Sequence, residues 1–273
     1  VESFDGTSIS FMDSGGDGPA VVMLHGLTIT SRINWEARFE YDSDGRLVEV
    51  EGPTFASILR DVGARTVAVD ARGHGYSGRS DDPDRYRGDA SAKDVQAVID
   101  ALGVDAVDLV GYSNGAATAA RLLGLGESRL RSAALCGMPF TLIEANYNDG
   151  VAWYGGEVGK AFQNDDWETW PDMASVRDVA SLDPVHDFAS IGASWIAFGA
   201  EPVPDERLAS ATVPVFVVKG GGDNGDNEAA RIAAMIPGAQ AAVVGDRDHN
   251  TTPHDDAFHD AVLSFLREQW KTD

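Results

Sequence analysis

The sequence is poor in cysteine and in lysine, and each shortage excludes a class of protein. Its single cysteine, Cys136, cannot form a disulfide within the chain, and the apolar setting SAALCGM predicts a buried core thiol. Only four lysines occur among 273 residues, and the formal net charge is −23. Such a surface repels polyanions, so we expect no binding to nucleic acid or to anionic membranes.

Long apolar runs are also missing. No stretch approaches the roughly 20 apolar residues that a helix needs to cross a bilayer. The first residues, VESFDGTSIS, show no basic-then-apolar signal pattern. We therefore expect a cytoplasmic protein. The acidic residues are spread along the chain rather than grouped in blocks, which indicates a solvated acidic surface.

The chain does contain short apolar runs that alternate with helical patterns. Strands are predicted at 20–24, 66–69, 107–110, 132–136, 213–219 and 241–244, after two short strands within 3–11 that turn at Asp5-Gly6. Helices are predicted at 55–62, 91–102 (capped by Ser91 and ended by Gly103), 228–236 and 255–270. This alternation predicts an α/β fold with a mostly parallel central sheet of about eight strands flanked by helices.

The alternation stops between residues 137 and 209. Four of the six tryptophans fall in this stretch: Trp153, Trp167, Trp170 and Trp195. Aromatic side chains there supply either the core of an insertion or the lining of a substrate pocket. We predict a core formed by 1–136 and 210–273, with 137–209 as an inserted cap over the active site. Acids outnumber bases in the insertion (Asp165, Asp166, Glu168 and Asp172 among them), which argues against an anionic substrate.

A second irregular stretch precedes the first predicted helix. Residues 36–50 have the pattern of a small surface hairpin that turns at Asp44-Gly45. The spacing of its acidic turn does not match a calcium loop, in which glycine stands at the sixth position. We predict no metal and no cofactor.

The strand at 107–110 leads into Gly111-Tyr112-Ser113-Asn114-Gly115 and then into a helical pattern. Strand, G-x-S-x-G and helix is the pattern of a nucleophile elbow, in which a sharp turn exposes the serine at a helix N-terminus. Gly111 and Gly115 leave out side chains that would clash in such a turn. Taken alone, the motif also fits an ordinary turn between a strand and a helix.

Polar residues follow several predicted strands, at the sheet edge where ligands bind in open α/β folds. Ser113, Asp223 and His249 occur in the order nucleophile, acid, base. His249 would take the proton of Ser113, and Asp223 would fix the tautomer of His249. The backbone N–H groups of Leu27 and Asn114 would hold an oxyanion.

Other residues compete for two of these roles. His254 and His259 lie further on, in or next to the last helix, whereas His249 directly follows the last strand. Asp226 competes with Asp223, which is nearer the strand end. Four residues are less well placed: His25 and Asp248, which we expect to brace loops, His74, which precedes the nucleophile, and His186, in the predicted cap.

Five segments carry a family resemblance: HGL at 25–27, DARGHGYS at 70–77, GYSNGA at 111–116, VFVVKGGGD at 215–223 and GDRDHN at 245–250. With these segments in this order, the chain resembles a capped α/β-hydrolase of the esterase, lactonase and haloperoxidase-like branch. It departs from the family pattern in two places. The 36–52 connection is longer than usual, and 137–209 matches no assignable pattern.

The resemblance implies hydrolysis through an acyl-enzyme on Ser113. A serine at the elbow argues against haloalkane dehalogenases and epoxide hydrolases, which use aspartate there. We expect a serine hydrolase that cleaves a carboxylic ester or lactone of a neutral, apolar or aromatic small molecule, acting as a monomer or homodimer. Hydrolysis of a carbon–carbon bond in a dienone-type substrate and ligand binding with little turnover are the alternatives.

Overall fold

The computed structural model describes residues 1–169 and 174–272. Its strands are β1 Phe11–Asp13, β2 Ala20–Leu24, β3 Phe39–Tyr41, β4 Leu47–Glu49, β5 Arg65–Val69, β6 Val107–Tyr112, β7 Leu130–Cys136, β8 Val215–Gly220 and β9 Gln240–Val244. Its α-helices are α1 Phe55–Asp61, α2 Ala90–Leu102, α3 Asn114–Leu125, α4 Asp149–Asn164, α5 Ala174–Ala180, α6 Phe188–Ala200, α7 Asp205–Ala209, α8 Glu228–Ala233 and α9 Asp256–Gln269.

Seven strands form one sheet in the order β1-β5-β2-β6-β7-β8-β9. Only β1 runs antiparallel to its neighbour, and every other adjacent pair is parallel. Every residue of β2, β6 and β8 is buried, because helices cover both faces of the sheet; this explains their continuous apolar runs. The predicted α/β class and mostly parallel sheet are confirmed.

The strand count differs from the expected number of about eight. Within 3–11 the structure has a turn closed by one bridge between Glu2 and Ser8, rather than two strands. The following backbone pairs with a loop instead of a strand, since the Ser10 carbonyl accepts a hydrogen bond from Asp70 N–H and the Ser10 N–H donates one to Ser77 Oγ. The sheet therefore begins only at β1.

Successive side chains of each strand enter opposite layers of the core. In β2, Val22 and Leu24 pack in a cluster with α2 and α3, whereas Val21 and Met23 pack in a second cluster with α1 and α9. One prediction about helix ends is wrong: α2 begins at Ala90 after Asp89, so Ser91 lies inside the helix and is not its cap. Gly103 ends this helix in a left-handed conformation, as predicted.

The stretch 137–209 contains α4, α5, α6 and α7. Helices α4 and α6 pack closely because glycines face each other, with Gly155 against Gly199 and Gly159 against Gly192. Phe162 and Trp167 form a small core beside them. Trp170 and Asp172 lie outside the described residues. Across 1–169 and 174–272, no helix has both the length and the apolar character needed to span a membrane.

Candidate active site

The turn between β6 and α3 holds Ser113 in a strained conformation, with φ 54° and ψ −114°. A positive φ is uncommon outside glycine and costs about 1–3 kcal/mol. Close contacts with backbone carbonyls explain why glycine stands on both sides of this turn, at Gly111 and Gly115. A Cβ on Gly111 would lie within 3.0 Å of the Gly115 carbonyl, and a Cβ on Gly115 within 3.0 Å of the Leu24 carbonyl. The turn has the geometry that the motif predicts.

The structure brings Ser113, His249 and Asp223 together from the ends of three strands. Ser113 Oγ lies 2.9 Å from His249 Nε2, and His249 Nδ1 lies 2.9 Å from Asp223 Oδ2. A carboxylate only accepts hydrogen bonds, so Nδ1 carries the proton and Nε2 accepts from the serine hydroxyl. This arrangement can deprotonate the hydroxyl.

The competing histidines, His254 and His259, are buried and make contacts other than with the Ser113 hydroxyl. His259 Nε2 donates to the Pro253 carbonyl, and its ring stacks on Phe55. His254 is 6% exposed, and burial lowers its pKa to about 3, so it is uncharged at neutral pH. Neither ring is hydrogen-bonded to Ser113, whose imidazole partner is His249.

Asp248, one of the two competing acids, makes its hydrogen bonds away from the His249 ring. The Asp248 carboxylate accepts hydrogen bonds from the Thr251 hydroxyl and from Tyr41, and so braces its own loop. The side chain of Asp226 lies outside the described part of the structure. The carboxylate that contacts His249 is that of Asp223.

The loop after β2 brings Leu27 to the wall of the cavity that Ser113 also lines. Gly26 N–H donates to Asn34 Oδ1 over 3.0 Å, and Thr28 N–H donates to His74 Nε2 over 3.3 Å. Between these two anchored amides, the N–H of Leu27 finds no acceptor among the described residues. Leu27 and Ser113 line the same cavity. This N–H and that of Asn114, the first residue of α3, are suited to bind a negatively charged oxygen.

Buried histidines support this loop. His25 Nδ1 donates to the Gly26 carbonyl and its Nε2 accepts from Ala71 N–H, at 2.7 and 2.9 Å. Burial lowers the pKa of His25 and lowers that of His74 well below 6.5, so both rings stay neutral. A neutral ring is required because each uses one nitrogen as an acceptor. His25 therefore braces the loop, as expected.

Sequence reasoning missed two residues that contact the proposed acid and base. Tyr112 donates its hydroxyl to the His249 carbonyl over 2.7 Å, and burial raises the pKa of Tyr112 well above 10, which keeps it a donor. Lys219 is 2% exposed; its Nζ contacts Glu228 and lies 3.7 Å from Asp223 Oδ2. The only sequence signal for Lys219 was a lysine at the end of an apolar strand.

A cavity of about 620 Å³ opens onto Ser113 and His249. Its other walls are mainly apolar and aromatic and come largely from the 137–209 stretch: Pro139, Leu142, Val151, Tyr154, Val176, Val179, Trp195 and Phe198. A few uncharged polar side chains complete it: Thr28, Thr141, Asn148, Ser175 and Asn250. In the part of the chain that the structure describes, no Lys, Arg, Asp or Glu lines this cavity, which therefore suits an uncharged ligand.

Within the described ranges, no set of three or more His, Cys, Asp or Glu residues is placed to hold a metal ion.

Comparison with known proteins identifies the family. A family model described as alpha/beta hydrolase fold matches residues 19–166. The sequence is 27% identical to N-formylmaleamate deformylase of Pseudomonas putida in an alignment 274 positions long, which covers 97% of this chain and 94% of that protein.

Solved structures share the fold over nearly the whole chain. An esterase from Exiguobacterium antarcticum matches with a TM-score of 0.74 and 23% identity, covering 98% of each chain. The enol-lactonase from Burkholderia xenovorans LB400 matches with a TM-score of 0.69 and 21% identity, covering 96% of this chain and 98% of that one. Because the family model spans more than half of the sequence, the chain belongs to the alpha/beta hydrolase fold family.

Proposed function

We propose that this protein is a serine hydrolase that cleaves a carboxylic ester or lactone of a neutral, apolar or aromatic small molecule. One observation carries the proposal: Ser113, His249 and Asp223 are joined by two 2.9 Å contacts beside an uncharged cavity of about 620 Å³. A hydroxyl paired with an oriented imidazole is the arrangement that makes serine a nucleophile.

In the first half of the reaction, Ser113 Oγ attacks the substrate carbonyl carbon while its proton passes to His249 Nε2. The carbonyl oxygen becomes an oxyanion, which the N–H groups of Leu27 and Asn114 stabilise. Asp223 stabilises the resulting imidazolium. His249 then gives the proton to the departing alkoxide, and the substrate's acyl group remains on Ser113.

In the second half, water replaces the alcohol beside His249. His249 removes a proton from the water, which attacks the acyl carbon, and a second oxyanion forms between the same N–H groups. The bond to Ser113 Oγ breaks, and His249 returns the proton to this oxygen. A carboxylic acid leaves and the enzyme is restored. For a lactone, the alcohol and the acid are two ends of one product.

We also propose that 137–209 acts as a cap that selects the substrate. Support comes from the cavity walls, since Val151, Tyr154, Trp195 and Phe198 all belong to this stretch. Their apolar and aromatic surfaces favour an apolar or aromatic group. The rest of the chain, 1–136 and 210–273, would supply the reacting groups.

Cleavage of a formyl group from nitrogen is a second candidate. It is favoured by the likeness to N-formylmaleamate deformylase, which extends over 97% of this chain. The same attack by Ser113 would form a formyl-enzyme, with an amide nitrogen rather than an alcohol as the leaving group. Assays should therefore include an N-formyl amide beside the esters.

The test combines turnover with chemical labelling. We expect hydrolysis of p-nitrophenyl acetate and butyrate, its loss in Ser113→Ala and in His249→Ala, and a fluorophosphonate adduct on Ser113 by mass spectrometry. Circular dichroism should show that both variants keep the fold. Saturable ligand binding without turnover would instead support a receptor, and a fully active Ser113→Ala variant would end the proposal.

A further inference from the structure

The hairpin formed by β3 and β4 has no part in the reaction as derived so far. It lies in the 36–52 connection, which is longer than usual for the family resemblance, and its two strands form a separate antiparallel sheet. An insertion of this kind needs contacts with the core to hold a fixed position. Those contacts converge on the loop that carries His249.

Polar contacts attach the hairpin on both sides of His249. Tyr41 donates its hydroxyl to Asp248 Oδ2 over 2.8 Å, and Asn250 Nδ2 lies 3.4 Å from the same hydroxyl. Arg38, just before β3, donates to Asp256 Oδ1 over 2.7 Å. The hairpin is therefore fixed against the residues that precede and follow the proposed base.

The inner side of the hairpin closes a second, smaller cavity that Ser113 and His249 also line. Its wall includes Phe39 from β3, Leu47 from β4 and Ile33 just before the hairpin. The volume is about 50 Å³, against about 620 Å³ for the first cavity. Because a single water already needs roughly 10–15 Å³, this space admits only a short group.

The small cavity is uncharged as well as small. Among the described residues, no Lys, Arg, Asp or Glu lines it. Besides His249, its titratable wall residues are Tyr112 and His254. Burial raises the pKa of Tyr112 well above 10 and lowers that of His254 to about 3, so both are neutral near pH 7. The His254 ring lies 5.5 Å from that of Phe39. A short apolar group therefore fits this space, and a charged group does not.

We propose that the β3–β4 hairpin determines the substrate specificity of this hydrolase. Phe39 and Leu47 restrict the group on one side of the scissile bond to a short one, while the large cavity takes a bulky apolar or aromatic group on the other side. The substrate class is thus an asymmetric ester with one short and one bulky group. This inference rests on the proposed function.

The test measures kcat/KM in two ester series with the whole protein. One series lengthens the acyl chain of p-nitrophenyl esters, and the other lengthens the alcohol of phenylacetate esters. We expect one series, and not the other, to fall by about 10-fold or more per methylene once the short group exceeds the cavity, which is the usual cost of a methylene that a pocket cannot accept.

Leu47→Ala should extend the restricted series by at least one methylene and raise kcat/KM for the first rejected ester by about 10-fold. Leu47→Phe should shorten the same series. Val48→Ala is the matched control, because Val48 is the next residue of β4, is 37% exposed and is not part of the wall. Thermal melting should show that all three variants are folded.

Equal tolerance of both series, or the same profile in Leu47→Ala, Leu47→Phe and Val48→Ala, would overturn the inference. In that case Ser113-dependent hydrolysis would leave the proposed function intact. No turnover of any ester, together with no fluorophosphonate adduct on Ser113, would overturn the proposed function itself and the inference with it.

Discussion

Asp223 acts on the reaction only through His249, whose Nδ1 it contacts at 2.9 Å. In Asp223→Asn, the amide can donate to Nδ1 and favour the tautomer that carries the proton on Nε2, where it blocks the serine. We expect kcat for p-nitrophenyl acetate to fall by about 10⁴-fold with little change in fold, as in other enzymes with such an acid. Asp226→Asn is the control and should stay near wild type; the reverse pattern would assign the acid to Asp226.

The effect of acid on the stability of the protein can be tested at a single residue, His254. Burial lowers its pKa to about 3, below the ordinary value of 6.5, so between these pH values the unfolded chain binds a proton that the folded chain does not. The free energy of unfolding should therefore fall as pH drops below 6.5, by up to about 1.4 kcal/mol per pH unit for this one proton. Burial also lowers the pKa of His25, His74, His186 and His259, which act in the same direction.

Urea unfolding at several pH values between neutral and mildly acidic would check this. His254→Gln is the comparison, because the two proteins differ in their titratable groups only at residue 254. Every other effect of acidification on the charge is the same in both. The variant should lose less stability on acidification than the wild type. If the free energy of unfolding fell equally with pH in both proteins, His254 would not be the neutral buried group described above.

At the scale of the element, the elbow depends on contact between α3 and the end of β2. Gly115→Ala would place a methyl group against the backbone carbonyls of Leu24 and His25, and neither carbonyl can move without displacing the strand or the loop of Leu27. We expect a loss of roughly 1–3 kcal/mol in stability, typical of overpacking, and a loss of activity larger than the stability change explains.

Gly156→Ala is the matched control, since Gly156 lies inside α4 and a Cβ there meets nothing within 4 Å. Alanine should raise the free energy of unfolding by about 0.5–1 kcal/mol because glycine is the poorer helix former. Guanidinium titration and ester turnover of both variants would test these expectations. A Gly115→Ala variant with the stability and activity of the wild type would show that the contact is not needed.

The sequence could predict those features that leave a pattern in neighbouring residues. The inner strands were recognisable because their residues are all buried, and Ser113, Asp223 and His249 could be placed because each follows a strand. Contacts between residues that are far apart in the sequence leave no such pattern. Tyr112 and Tyr41 reach the loop of His249 from 137 and 207 residues away, and the segment 3–11 pairs with a loop that its own alternation does not indicate.

For the whole molecule, the dominant surface property is charge. Acidic residues number 44 and basic residues 21, so most pairs of charges on the surface repel. Salt also weakens surface ion pairs such as Arg87 with Asp84, whose side chains are 38% and 79% exposed, but each such pair contributes only about 0–1 kcal/mol. The excess of one sign outweighs this loss, so salt should stabilise the fold.

We expect the melting temperature to rise between about 0.05 and 1 M NaCl, where the Debye length falls from above 10 Å to about 3 Å. A variant with Glu51→Gln, Asp260→Asn and Glu268→Gln removes three exposed negative charges and is the control. It should melt higher than the wild type at low salt and gain less from added salt, because repulsion is the quantity being screened. If both proteins rise equally, salt acts by exclusion from the surface rather than by screening, and if neither rises, repulsion among these charges does not limit stability.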